Sequence, residues 1–349
     1  MILLVDGGSD SVWLPVYTLN EDHECLYLIL GALELVSYLL TAALVLKSCR
    51  IVHNSRHFHE NMNLLVVSLL LQWFEAFCSK LIIMPYQVGI LTIGDPAKVY
   101  VSWWTSDSGE MIRVPSFFSI LALYVPGMLI WHYIYSMFMG VTCVAVERIF
   151  ATYYIRDYEK TPRNHIGIGL ILLVHFISFP FSYFMVNNRI HFVIADSLCI
   201  AVVILVCVIY TSVWLANDRL RRSYRLAQQF QVKENIRHIM LARNIVCCAT
   251  FFVAIACSLL MIIVLDVIPA YLKNPLAHCV ENCIFLNPLL ICTVMLWSVP
   301  TWKKELLGWI PIVGRIRNKP RAETGRTEES RTTGEETEVY FNQFRNAWV

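Results

Sequence analysis

Apolar residues along this chain come in unbroken blocks, separated by short polar stretches, and not in strand-like alternation. A helix needs about 20 mostly apolar residues to cross ~30 Å of hydrocarbon. Seven windows reach that length, at about 26–46, 62–84, 121–147, 166–186, 194–216, 245–268 and 279–299. Continuous runs exclude a membrane barrel, whose strands alternate in polarity. The pattern predicts an all-α membrane protein, a seven-transmembrane helix bundle occupying residues 26–299. Pro180, inside the fourth window, predicts a kink there.

The polar stretches orient the bundle. Lys and Arg concentrate in 47–60, 148–165, 217–243 and 301–319, which hold nineteen; the alternate stretches 1–25, 85–116, 187–193 and 269–278 hold four. Basic loops stay in the cytosol, so the N-terminus (1–25) is expected outside and the C-terminus inside. Met1–Val5 lacks a basic flank and reads as no cleavable signal peptide. After a juxtamembrane segment at 300–319, residues 320–349 turn to Glu, Thr, Arg and Ser, the composition of a disordered cytosolic tail. The basic stretch 217–243, with Arg221, Arg222 and Arg225, has apolar residues at helical intervals and is expected to prolong both flanking helices. Trp302, Leu306, Trp309 and Ile310 share an apolar side, as in a short helix lying on lipid.

Composition agrees: 57% of the residues are hydrophobic and 15% charged, with mean hydropathy +0.56, against about 45–50% and ~25% in soluble domains. A net charge of +2 gives no footing for a nucleic-acid partner. Twelve cysteines are present, most of them inside spans as small packing residues. Cys25 and Cys279, at the outer ends of the first and last spans, could pair or stay apart.

No motif proposes an enzyme, a cofactor or a metal. His53, His57 and His59 form one cluster with no second, and read as a basic solvated loop. Charges inside spans need a reason. Lys80, Asp196 and Asp266 lie near outer ends, where snorkelling explains them. Glu34, Glu75 and Glu281 lie deeper, and serve either a ligand site or a structural polar network. Trp131, Tyr135, Phe138 and Thr142 make one stripe on the third helix, either a packing face or a pocket wall. A seven-span transporter or channel is the alternative reading, but no repeat symmetry supports it.

The third span closes on Glu147-Arg148 within the run ERIFATYYIRDYEK, from Glu147 to Lys160, followed by Pro162-Arg163. The seventh carries Asn287-Pro288, and Ser298-Val299-Pro300-Thr301-Trp302-Lys303-Lys304 follows it. With these marks the chain, over roughly residues 20–315, resembles the nematode serpentine chemoreceptors of class epsilon, the Sre family. The resemblance implies a multi-pass G-protein-coupled receptor of the plasma membrane of sensory neurons, taking a small-molecule chemical cue and engaging a heterotrimeric G protein. It implies that Glu147 holds Arg148 at rest, an arrangement contributing at most ~1 kcal/mol if near the surface. Asn287-Pro288 would make the seventh helix easy to bend, and Arg221, Arg222 and Arg225 would face the G protein and membrane lipids.

Some residues depart from the wider rhodopsin-like pattern. Ile149 and Ile291 stand where tyrosines usually close the two motifs, the sixth span lacks an inner proline, and no cysteine sits at the outer end of the third. These departures bear on the switch and leave the fold in place. Trp131 and Tyr135 lie 17 and 13 residues before Arg148, about 26 and 20 Å along a helix. That depth suggests a ligand site lined by Trp131, His132 and Tyr135, with Glu281 as polar anchor.

Overall fold

Each apolar block folds as a helix, and most helices outrun their window. The computed structural model describes residues 1–5, 10–19, 24–55, 60–91, 102–105, 109, 111–154, 164–223 and 226–309. In chain order the elements are β1 (Ile2–Val5), β2 (Asp10–Trp13), α1 (Glu24–His53), α2 (Glu60–Gln87), β3 (Ile112–Val114), a 3-10 turn (Phe117–Ile120), α3 (Leu121–Tyr153), α4 (Asn164–Val186), α5 (Phe192–Ser223), α6 (Leu226–Val264), α7 (Ala270–Phe285), α8 (Asn287–Ser298) and α9 (Pro300–Trp309). Among the described residues, six helical stretches are long and apolar enough to cross a bilayer, and Ala249–Val264 within α6 is a shorter apolar one. Together they make the seven-helix membrane bundle. Leu33, Leu40, Phe176 and Phe251 point outward and are exposed, an arrangement suited to hydrocarbon and not to water.

α3 is the hub, packed against α2, α4 and α5. Three helices end on a residue in the left-handed region: Gly89 after α2 (φ 80°), Asn188 after α4 (φ 48°) and Asp266 after α6 (φ 57°). The closing bonds Arg189 N–H to Phe184 O (2.8 Å) and Val267 N–H to Ile262 O (3.3 Å) show why a short polar side chain substitutes for glycine there. α4 continues through Pro180 as one helix.

The all-α expectation omitted a small sheet. β1 pairs antiparallel with β2 and parallel with β3, in the order β2-β1-β3. This sheet caps one end of the bundle, the sheet end. The chain following β2 lies so close to α3 that a Cβ on Gly127 would stand 3.0 Å from Leu14 Cδ2 and 3.2 Å from Pro15 Cδ.

The seventh span is two helices, where one had been expected over 279–299. α7 starts nine residues early, at Ala270, and stops at Phe285; α8 resumes at Asn287. Pro288 has no N–H to give the preceding turn, and the break falls beside it. At the opposite end, α5 and α6 extend across most of the basic stretch, as expected. Arg221 and Arg222 belong to α5; Arg225 lies outside the described residues, as do His57, His59, Ile310 and the 320–349 tail. On α9, Trp302 and Leu306 are buried while Trp309 is exposed. The Trp302 indole donates to Ser55 Oγ at 3.1 Å, and Lys47 pairs with Glu305 at 3.0 Å, so α9 is tied to the end of α1.

Candidate functional site

Toward the sheet end, α3, α5, α6 and α7 enclose a cavity of about 90 Å³. Trp131, Ile134, Tyr135 and Phe138 form its α3 wall, Phe192, Asp196 and Cys199 its α5 wall, and Val280, Glu281 and Ile284 its α7 wall. Pro15 and Trp103 reach it from the sheet-end cap. Such a cavity, largely apolar with a few polar groups, is the usual form of a small-molecule site. Three buried polar atoms of its lining have no hydrogen-bond partner among the described residues: Trp131 Nε1, Asp196 Oδ2 and Glu281 Oε1, the last of which pairs with Lys80. Asp196 is 5% exposed. Snorkelling to water, the expectation for this residue, is therefore wrong; position near a helix end says nothing about which way the side chain turns.

The cap closes over the cavity through tryptophan. Trp13, the last residue of β2, meets Trp103, Trp104, Trp131 and Phe192 with ring centroids 5.1, 5.0, 4.9 and 5.5 Å apart. Its indole donates to Trp103 O at 3.2 Å. These cap residues were not singled out in the sequence. The available signal was a set of tryptophans in stretches otherwise read as exposed loops.

His132 departs from the expected lining. It turns to the other side of α3, where its Nδ1 lies 2.6 Å from Glu75 Oε2 and its ring stacks on His175 at 5.3 Å. One hundred degrees per residue along a helix separates it from Trp131.

Glu281 reaches the cavity rim but is already engaged. Lys80, fully buried, pairs with Glu34 and with Glu281, each at 3.1 Å. It also donates to Gln87 Oε1 at 2.7 Å, and Gln87 Nε2 donates to Glu281 Oε2 at 3.0 Å. Tyr17 donates its hydroxyl to Glu281 and lies 2.9 Å from His278 Nδ1. Burial, and then the charge of Glu281, hold the Tyr17 phenol well above its ordinary pKa, so it remains a donor. The expectation that Lys80 snorkels fails for a clear reason: two carboxylates and an amide replace its water. Cys25 and Cys279 are exposed and unbridged.

At the opposite end, Arg148 Nε donates to Glu147 Oε2 at 2.6 Å and its Nη2 lies 2.5 Å from the same oxygen. The pair is buried, with Glu147 0% and Arg148 3% exposed, and not near the surface as expected. Adjacent residues on a helix do not face each other, yet here the two side chains fold together in the interior. Thr152 donates to Arg148 O at 2.8 Å, and Asn217 of α5 donates to Thr152 Oγ1 at 2.8 Å. Between the two ends lies a second cavity of about 40 Å³, which shares Met137, Phe138, Val253 and Asn287 with the first. Asn287 donates to Met137 Sδ at 3.5 Å, linking the helix break to α3. No group of three or more potential metal ligands occurs among the described residues.

The whole chain, residues 1–349, matches the family model described as Sre G protein-coupled chemoreceptor. It is 37% identical over 361 residues to serpentine receptor class epsilon-38 of Caenorhabditis elegans, covering 98% of this chain and 99% of that protein. Serpentine receptor class epsilon-31 of the same organism is 31% identical over 367 residues, and class epsilon-37 is 30% identical over 363, each covering 100% of both chains.

Proposed function

Because the chain belongs to the Sre family of G protein-coupled chemoreceptors, we propose that it binds a small chemical cue in the sheet-end cavity and activates a heterotrimeric G protein at the Glu147–Arg148 end. The observation that carries this reading is the separation of two built sites along α3. Trp131 and Tyr135 line a partly polar cavity, while a buried ion pair closes the helix 17 and 13 residues further on. The second cavity lies between them and offers space into which Met137 and Phe138 can repack. A ligand biases such an equilibrium by binding one packing better than the other.

The sheet end faces outward and the Arg148 end faces the cytosol, on the nineteen-to-four distribution of Lys and Arg. Arg221, Arg222 and Arg225 then form, with the end of α3, the surface that meets the G protein and anionic lipid. The receptor resides in the plasma membrane, in a sensory cell.

The test is a cell line expressing the full chain, screened against odorants with calcium and cAMP readouts, with tags on both termini. An N-terminal tag reached by antibody on intact cells, and a ligand response lost in Trp131→Ala or Tyr135→Ala, is the expected result. Replacement of Arg221, Arg222 and Arg225 by Gln is expected to remove the response with ligand binding intact. A C-terminal tag exposed on intact cells would overturn the reading.

A further inference from the structure

The sheet-end cavity carries an acid with no basic side chain among the described residues that line it. Asp196 of α5 is buried, and its Oδ2 has no hydrogen-bond partner among the described residues. Its polar neighbour is the Cys257 thiol, a weak donor. Two buried amines at this end are already engaged: Lys80 is shared between Glu34 and Glu281, and the Met1 α-amino group donates to the carbonyls of Leu14, Val16 and Trp103. Leaving a carboxylate in an apolar enclosure without a counter-charge is costly, and an acid kept inside a membrane span marks a functional position by default.

The surroundings of Asp196 narrow what the missing partner is. Trp103, Trp131, Tyr135 and Phe192 line the same cavity, and aromatic faces attract organic cations. Phe192 precedes Asp196 by four residues and so shares its face of α5. A carboxylate or phosphate ligand would meet Asp196 and Glu281 with no basic side chain to receive it. A neutral alcohol would leave the charge of Asp196 unanswered. Size sets a further limit: benzene occupies an apolar cavity of about 150 Å³, and this one has about 90 Å³.

We infer that the cue is a small amine bound as its ammonium ion, with Asp196 as counter-ion and the aromatic walls around its carbon skeleton. This rests on the reading of the cavity as the ligand site, and it names Asp196, not Glu281, as the polar anchor.

The test measures binding directly, on the full chain purified into lipid nanodiscs, so that no G protein is required. Isobutylamine, isobutanol and isobutyrate share a carbon skeleton and differ in charge. Isobutylamine is expected to bind saturably, isobutanol at least about tenfold more weakly, and isobutyrate not at all. Asp196→Asn is expected to lose about tenfold or more in amine affinity and to leave the alcohol unchanged. Asp196→Glu, which keeps the charge, retains the preference for the amine and controls for folding. Equal binding of amine and alcohol, or an amine affinity unaffected by Asp196→Asn, overturns the inference and leaves the cavity as a ligand site. Binding of none of the three also overturns it. The cavity reading itself falls only if Trp131→Ala also fails to shift the response to an agonist found in the cell screen.

Discussion

The indole N–H of Trp73 on α2 donates to the backbone carbonyl of Phe285, at 2.7 Å, where α7 stops. In a continuous helix that carbonyl would receive the N–H of Leu289, but Leu289 bonds instead to Leu286 O at 3.0 Å. The break beside Pro288 thus leaves an acceptor in the interior of the bundle, and a side chain from a neighbouring helix satisfies it. Trp73 is itself held by stacking on Phe77 at 5.3 Å and on Tyr38 at 6.4 Å.

Trp73→Phe preserves the ring stack and removes the donor. An unsatisfied buried carbonyl costs about 1–3 kcal/mol, so the purified receptor should unfold at a lower temperature by that equivalent. A thermal unfolding curve identical to that of the parent protein would show that the break supports itself.

The burial of Glu147 and Arg148 raises what their separation costs. Removing one partner of a buried pair typically costs about 3–5 kcal/mol, well above the value for a surface pair. Glu147→Gln is expected to raise basal G-protein activation severalfold, because the resting arrangement loses more than the activated one. Arg148→Ala is expected to abolish activation while the protein still reaches the cell surface. Basal signalling per surface receptor checks both, and an unchanged level in the two variants would remove the pair from the switch.

Lys80→Met leaves Glu34 and Glu281 facing each other without their cation. The expected outcome is a destabilisation of about 3–5 kcal/mol and a large loss of folded protein in detergent, read by size-exclusion chromatography. Adding Glu281→Gln to that variant relieves one of the two stranded charges and should recover part of the loss. Equal yields for all three proteins would mean that the ion pairs contribute nothing to folding.

The spans were legible in the sequence because lipid imposes one demand on every residue of a helix's outer face, and that demand shows as length and polarity alone. What faces inward was not legible. Lys80 and Asp196 both sit near helix ends, and only packing decides that one meets two carboxylates while the other meets no basic side chain among the described residues around its cavity. His132 and Tyr135 differ by three residues on α3, close enough to be assigned to one wall, yet His132 belongs to Glu75 and His175 on the far side. The sheet was missed because β1 and β3 are short and pair across more than a hundred residues, with no local pattern to announce it. Trp73 was invisible for a similar reason: its partner is a backbone atom on a helix that follows two hundred residues later.

The cluster around Lys80 also has a place in time. Glu34 and Lys80 lie on α1 and α2, which leave the ribosome well before α7, and their 3.1 Å contact lets that helical hairpin enter the bilayer as a neutral pair, where a lone charge in a span adds up to about 2.5–3.5 kcal/mol to insertion. Glu281 arrives later, on α7, and meets Lys80 only when α7 docks against α2. A chain interrupted before α7 would hold the first pair but lack the contact that joins α2 to α7. Docking of Glu281 therefore covers a carboxylate that an incomplete bundle would leave without this ammonium, so the same cluster that stabilises the finished fold also distinguishes it from a chain lacking α7.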